Sequence, residues 1–338
     1  MRDRSAPPSR SVALGLARAV DTLLDRTVAP GFTHLGLAVR RRLPGWPADP
    51  APGGLTGHDV AVTGASSGLG RRTALDLAAL GATVHLVVRD TGKGERVADE
   101  VRAATGSPAS ARVWRCDVAD LDSVDAFVDA FVEAFLADGR PLRGLVHNAG
   151  ALPPSRTESP QGHELTQALH VLGPVRMTER LLPALEADEG RVVLVTSGGM
   201  YTQRLPVDDP EYTQGSYSGS VAYARSKRGQ VELLPVLASR WADRGVSVHA
   251  THPGWAGTPG LDASLPAFSR ALRPVLRSDA GGADTTTWVL ATESAPPSGR
   301  LWHDRRPRPT AVLPGTRPTH TDRARYWRWV ADATDLTP

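Results

Sequence analysis

A short apolar run, Val60-Ala61-Val62, leads into Thr63-Gly64-Ala65-Ser66-Ser67-Gly68-Leu69-Gly70. From Arg71 to Leu80 apolar residues then recur at helical spacing. A strand that turns through glycines into a helix is the opening of a dinucleotide-binding βαβ unit. Glycines let the backbone turn tightly and approach a pyrophosphate, and the helix N-terminus offers it free N–H groups. Gly81-Ala82 ends the helix, and Thr83 to Val88 reads as the second strand.

The alternation continues along the chain. Strands are expected near 59–63, 83–88, 112–116, 143–147, 191–196 and 246–251. Helices are expected near 69–80, 93–104, 121–136, 161–186, 220–243 and 279–291. This pattern predicts an α/β fold, a doubly wound parallel sheet of the Rossmann type with right-handed crossovers. Only one such series is visible in 338 residues. The chain therefore reads as one catalytic domain, 55–315, with an N-terminal helical extension and linker, 1–54, and a C-terminal tail helix, 316–338. Cys116 is the only cysteine, which excludes an intrachain disulfide and is compatible with a reducing, cytoplasmic setting. A net charge of +3 without a basic, aromatic stripe argues against a nucleic-acid partner. No metal site is expected.

Tyr223-Ala224-Arg225-Ser226-Lys227 points to proton chemistry. Lys227 is one of only two lysines in a chain that otherwise uses arginine for positive charge. Arginine would supply a cation equally well, so a lysine here suggests a need for ammonium chemistry. A tyrosine four residues before a lysine on a helix shares its face. A free phenol has a pKa of about 10 and is a poor base at neutral pH. A neighbouring cation stabilises the phenolate and lowers that value. Taken alone, the pair also describes an ordinary helix surface.

The glycine turn, then Asn148-Ala149-Gly150, then a serine, then Tyr223 and Lys227 together resemble the short-chain dehydrogenase/reductase family. The resemblance runs from about Gly57 to about Leu313. Within the family, three stretches resemble the branch of member-12-like dehydrogenase/reductase proteins. They are Ser197-Gly198-Gly199-Met200, His252 to Gly260, and Pro297 to Arg305.

The resemblance implies a nicotinamide cofactor held by Gly64, Ser66, Ser67, Gly68, Leu69 and Gly70. Asp117 and Val118 would meet the adenine, and Asn148, Ala149 and Gly150 the ribose. Pro253, Gly254 and Thr258 would cradle the nicotinamide end. Arg89 falls where the chain leaves the second strand. A carboxylate there would accept from the ribose 2′-hydroxyl of NAD, whereas an arginine offers a planar fork to a 2′-phosphate. NADP(H) is therefore expected, with NAD(H) the lesser candidate, although Asp90 stands next door. Tyr223 would exchange a proton with the carbonyl or alcohol oxygen. Ser197 would hold that oxygen, and Lys227 would lower the Tyr223 pKa and bond the nicotinamide ribose. The predicted activity is interconversion of a small carbonyl/alcohol pair, on an apolar or bulky substrate.

Two departures from the family pattern stand out. The Ser197–Tyr223 gap is long, so Met200 to Ser220 is expected to form a loop whose Tyr201, Tyr212 and Tyr217 wall a substrate pocket. His170 replaces an asparagine that, by resemblance, bends its helix and anchors a relay water beside the lysine. A histidine titrates near neutrality, so a pH-sensitive relay is expected.

Residues 11–24 form a candidate amphipathic helix, and Arg40-Arg41-Arg42 follows a second apolar patch, Phe32 to Val39. One reading packs this segment on the domain or on a second subunit. The other holds 1–42 at an anionic membrane surface as a peripheral contact. The tail helix, Asp322 to Val330, packs on the domain or forms a homo-oligomer contact. Two rivals to the main reading are a non-catalytic NADP-binding sensor or scaffold and a membrane-associated lipid-modifying reductase.

Overall fold

The computed structural model describes residues 10–27, 29–138, 140–258, 260 and 266–337. The expected series is present from β1 (Asp59–Thr63) through α4 (Gly68–Ala79), β2 (Thr83–Val88), α5 (Thr91–Thr105), β3 (Ala111–Arg115), α6 (Leu121–Asp138) and β4 (Leu142–His147). A short helix, α7 (Leu165–Gln167), passes through a π-helical turn at Ala168–Leu172 into α8 (Gly173–Glu186). β5 (Arg191–Val195), α9 (Gly219–Ala242) and β6 (Ser247–Thr251) follow. Then come α10 (Pro266–Leu272), α11 (Asp279–Ala291), a hairpin of β7 (Arg300–His303) and β8 (Arg306–Arg308), and α12 (His320–Ala333). Before the sheet lie α1 (Arg10–Arg26), α2 (Ala29–Phe32) and α3 (His34–Arg42).

The strands form one eight-stranded sheet in the order β3-β2-β1-β4-β5-β6-β7-β8. All pairings are parallel except β7 with β8. The central strands are buried on both faces, as Asp59-Val-Ala-Val-Thr and Arg191-Val-Val-Leu-Val show, so they read as continuous apolar runs. One face packs under α4, α5 and α11, with Val62, Leu77, Val97 and Leu290 in its core. The other packs under α6, α8, α9 and α12, with Phe131, Leu181, Leu234 and Val330 in its core.

The tail helix lies on the domain: Tyr326 is 1% exposed and donates its hydroxyl to Gln167 at 2.7 Å. The N-terminal helices also dock. Asp21 of α1 accepts from Arg40 of α3 at 2.8 Å, and Arg40 reaches Asp304 beyond β7 at 2.6 Å. The strand order reverses between β1 and β4, which opens a crevice at the carboxyl ends of the strands.

Candidate active site

A cleft of about 880 Å³ opens there. Gly64, Ser66, Ser67, Gly68 and Leu69 line it from the β1–α4 turn, Arg89 after β2, and Asp117 and Val118 after β3. Asn148, Ala149 and Gly150 line it after β4, Ser197 after β5, Tyr223 and Lys227 on α9, and Pro253, Gly254 and Thr258 after β6. The two remaining candidates, Gly70 and His170, stand behind its walls. A Cβ on Gly70 would lie 2.4 Å from Asn148 Nδ2 and 2.5 Å from the Gly64 carbonyl oxygen. Its glycine lets α4 seat against the strand ends. The Thr63 hydroxyl takes the N–H groups of Asn148 and Ala149 at 3.0 and 3.1 Å, which binds β1 to the segment after β4.

The site fits a dinucleotide by its own geometry. Gly64 and Gly68 have positive φ, 65° and 54°, conformations that a side chain would strain. Ser67 precedes α4 in extended conformation, and its hydroxyl makes no cap bond. The first turn of α4, whose Gly68 and Leu69 line the cleft, therefore has no capping side chain at the positive end of the helix dipole. Asp90 spends its carboxylate on α5, accepting from the Lys93 N–H at 3.0 Å. That bond holds its pKa below the ordinary carboxylate value. Arg89 is 82% exposed along its side chain, with Asp117 Oδ2 at 3.9 Å. Lys93 also lines the cleft beside Arg89 and was missed by sequence reasoning. Its signal was available: it is the other of the two lysines.

The Ser197 hydroxyl and the Tyr223 phenol face the same cleft, near enough for Ser197 to favour the phenolate. Ser197 Oγ also accepts from the Gly199 N–H at 3.4 Å. Lys227 Nζ donates to the Val195 carbonyl at 2.8 Å and sits 5.7 Å from the Tyr223 ring centre. Thr196 turns away and donates to the Lys227 carbonyl at 3.2 Å. Burial pushes the Tyr223 phenol above its ordinary value, with the nearby Ser197 hydroxyl opposing. Burial brings Lys227 down to about 7. The expected lowering of Tyr223 by Lys227 is thus not what the chain's own groups produce. The ammonium is turned to a carbonyl and is desolvated, so burial dominates.

His170 does not behave as expected. Pro174, four residues later, has no N–H for the His170 carbonyl, and that carbonyl instead accepts from Gln230 Nε2 at 2.7 Å. The π-helical turn surrounds this break. The imidazole is fully buried; Nε2 accepts from the Ala151 N–H at 3.2 Å, so Nδ1 carries the proton toward Ser226 Oγ at 2.8 Å. Ser226 passes its own proton to the Tyr223 carbonyl at 2.9 Å. Burial and then Lys227 hold the His170 pKa well below its ordinary value. The ring is a neutral brace between three segments, and the expected titration near neutrality is withdrawn.

The tyrosine wall is likewise corrected. Tyr201 donates to the Pro309 carbonyl at 3.1 Å, Tyr212 to Ser216 at 3.0 Å and Tyr217 to Glu164 at 2.9 Å. Each hydroxyl finds its partner away from the cleft, as a part-buried phenol needs one. Leu152, Leu165, Leu169, Val221, Trp255 and Phe32 supply the cleft's apolar lining instead. Among the described lining residues the charged side chains are Lys227 and, at the far end, Arg89, Asp90, Lys93 and Asp117. Of the expected covering loop, 253–278, residues 259 and 261–265 lie outside the described residues. The sequence offered no local signal for Phe32.

The chain is similar to known proteins in sequence and in fold. The family model described as short chain dehydrogenase matches residues 58–266. The chain is 38% identical over 259 residues to dehydrogenase/reductase SDR family member 12 of Bos taurus, covering 75% of this chain and 78% of the relative. It is 32% identical over 254 residues to retinol dehydrogenase 12 of Homo sapiens, covering 74% of this chain and 78% of that one. A solved structure of an uncharacterized protein from Mycobacterium paratuberculosis shares the fold, with a TM-score of 0.66 at 24% identity over 85% of this chain and 98% of the other. With the glycine turn and the Ser197, Tyr223 and Lys227 group meeting in one cleft, the chain belongs to the short-chain dehydrogenase/reductase family.

Proposed function

We propose that this dehydrogenase/reductase works with NADP(H) and interconverts a carbonyl and an alcohol on an apolar or bulky substrate. The observation that carries the proposal is the meeting of Ser197, Tyr223 and Lys227 in one cleft that has a charged and an uncharged end. Arg89 and Lys93 at the charged end favour a 2′-phosphate, since both are exposed cations and Asp90 beside them accepts from the Lys93 N–H of α5. A bound nicotinamide supplies or takes up the hydride. In the reducing direction Tyr223 gives its phenolic proton to the carbonyl oxygen, and the Ser197 hydroxyl holds the same oxygen. Hydride at carbon and proton at oxygen make the alcohol; oxidation reverses both. Lys227, one turn along α9, stabilises the phenolate left behind when it is charged. The apolar lining excludes water from the reacting oxygen, and the retinol named for one relative is a substrate of that kind. Screening apolar aldehydes and ketones for NADPH and NADH consumption tests the proposal. NADPH-dependent turnover of an apolar member is expected; failure of every carbonyl compound under saturating NADPH would sink it.

A second reading, peripheral membrane contact, is favoured by one observation. Val12, Leu16 and Leu23 on α1 are 60–68% exposed, and Leu35 and Val39 on α3 are 57% and 42% exposed. Arg18, Arg26, Arg41 and Arg42 on the same helices are exposed too. An apolar face with flanking cations suits an anionic bilayer surface. No helix among the described residues is long and apolar enough to cross a membrane. Flotation with anionic vesicles is expected to carry the parent and to leave Leu16→Glu/Leu23→Glu behind; equal flotation of both would remove this reading.

A further inference from the structure

We infer that Phe32, from the N-terminal extension, sets the size of substrate that the cleft accepts. The inference rests on the oxidoreductase reading and makes the extension part of the substrate site. Phe32 is 4% exposed and lines the cleft. Gly198, directly after Ser197, has no side chain, and a Cβ there would meet Phe32 Cε2 at 2.9 Å. The ring thus lies against the backbone that carries the Ser197 hydroxyl. The ring also meets His252, with ring centres 4.3 Å apart, His303 at 5.2 Å, Trp255 edge-on at 5.9 Å and Tyr201 at 6.4 Å.

A loosely held ring would set no limit, but this one is fixed. The Phe32 carbonyl accepts from the Trp255 N–H at 2.8 Å and from Arg277 Nε at 2.9 Å. The Gly31 carbonyl accepts from Arg277 Nη2 at 2.9 Å and Arg40 Nη1 at 2.8 Å. Asp304, 1% exposed, bonds both guanidiniums at 2.6 Å. Buried charges paired in this way hold one geometry, because any displacement strands a charge away from water. The same bonds fix Trp255, the other aromatic wall on the loop after β6. A rigid apolar wall discriminates by size, with one methylene worth about tenfold or more in specificity.

The test uses the full chain with NADPH and straight-chain aldehydes of increasing length, reading kcat/KM. The matching primary alcohols, which NADPH cannot reduce, are titrated by calorimetry against the NADPH-loaded protein. Phe32→Ala should move the preferred length upward in both series, changing the long-to-short ratio by about tenfold or more. Phe32→Trp should move it downward. Phe32→Leu serves where Phe32→Ala melts too low. A purely structural role would weaken all members alike, so an unchanged length order in folded variants overturns the inference. A shifted alcohol order without any aldehyde reduction would keep the Phe32 wall and remove the oxidoreductase reading. Aldehyde reduction with an unchanged order would do the reverse.

Discussion

The two ends of the cleft are built differently. The charged end, proposed for the cofactor, is assembled from turns that each follow one strand, and most of its residues are neighbours in sequence: Gly64 to Leu69, Arg89 with Lys93, Asp117 with Val118, and Asn148 to Gly150. The apolar end, proposed for the substrate, takes Phe32 from the extension, Leu152 after β4, Leu165 and Leu169 from α7 and its π-helical turn, Val221 from α9 and Trp255 after β6. The first end carries charge and backbone N–H groups. The second carries apolar side chains held by long-range contacts. A nucleotide is recognised by local backbone geometry that recurs wherever it is bound, whereas a substrate wall needs only shape, which distant segments can supply.

Tyr223 stands where the two ends meet, and changing it gives the largest expected effect. Tyr223→Phe should lower turnover by about 10³-fold, the ordinary worth of a positioned proton donor, with NADP affinity within about twofold. Retained turnover on a substrate of the parent would separate the acid–base role from this residue.

Arg89→Asp sharpens the contrast at the charged end. Loss of one charge-assisted bond to a 2′-phosphate should weaken NADP by about 10–100-fold and leave NAD less affected. Titration of the parent with both cofactors comes first; equal affinities would break the assignment of Arg89 and Lys93.

Lys227→Met pits function against stability. With Lys227 at about 7 in the folded chain, against an ordinary value of 10.5, the unfolded chain binds the extra proton between those values. The Lys227 contribution to stability is therefore present above pH 10.5 and is lost as pH falls toward 7. Lys227→Met should lose turnover yet gain about 2 kcal/mol of stability at pH 7, read by denaturant unfolding. A destabilised variant would mean that the bond to Val195 outweighs the burial of the amine.

His170→Asn has the smallest effect on chemistry. Asparagine is too short to span Ala151 and Ser226, so a loss of about 1–2 kcal/mol is expected. The pH–rate curves of parent and variant should superimpose between pH 6 and 8 (about one unit either side of neutrality), because the imidazole stays neutral there. The folded His170 pKa is depressed, so its share of stability is full above the ordinary value of 6.5 and is lost as pH falls below it. The variant should be correspondingly less sensitive to acid. Divergent pH–rate curves would return His170 to the proton path.

Much of the cofactor end was legible in the sequence because each turn announces itself locally. The six expected strands are present to within about two residues, as periodic apolar runs fix a strand better than its ends. The β7–β8 hairpin was not foreseen: Arg300–His303 and Arg306–Arg308 are too short to show a period, and Pro307 argues against a strand away from an edge. The tyrosines of the long loop misled because an aromatic residue near an active site can as well pack away from it. The His170 expectation followed the family pattern and overlooked Pro174, whose missing N–H redirects the His170 carbonyl to Gln230. Phe32 was illegible because its meaning depends on Gly198, brought near only by the folded chain.

The central claim is that one cleft passes a hydride from NADPH to a carbonyl carbon while Tyr223 supplies the proton. The most direct test uses NADPH deuterated at C4 of the nicotinamide on the transferred face, with an apolar aldehyde, and reads the product by mass spectrometry and NMR. The account predicts an alcohol with deuterium on the carbinol carbon, formed faster with NADPH than with NADH and nearly abolished in Tyr223→Phe. Bound NADPH with no label transferred to any carbonyl compound, or label transferred equally well by Tyr223→Phe, would contradict it.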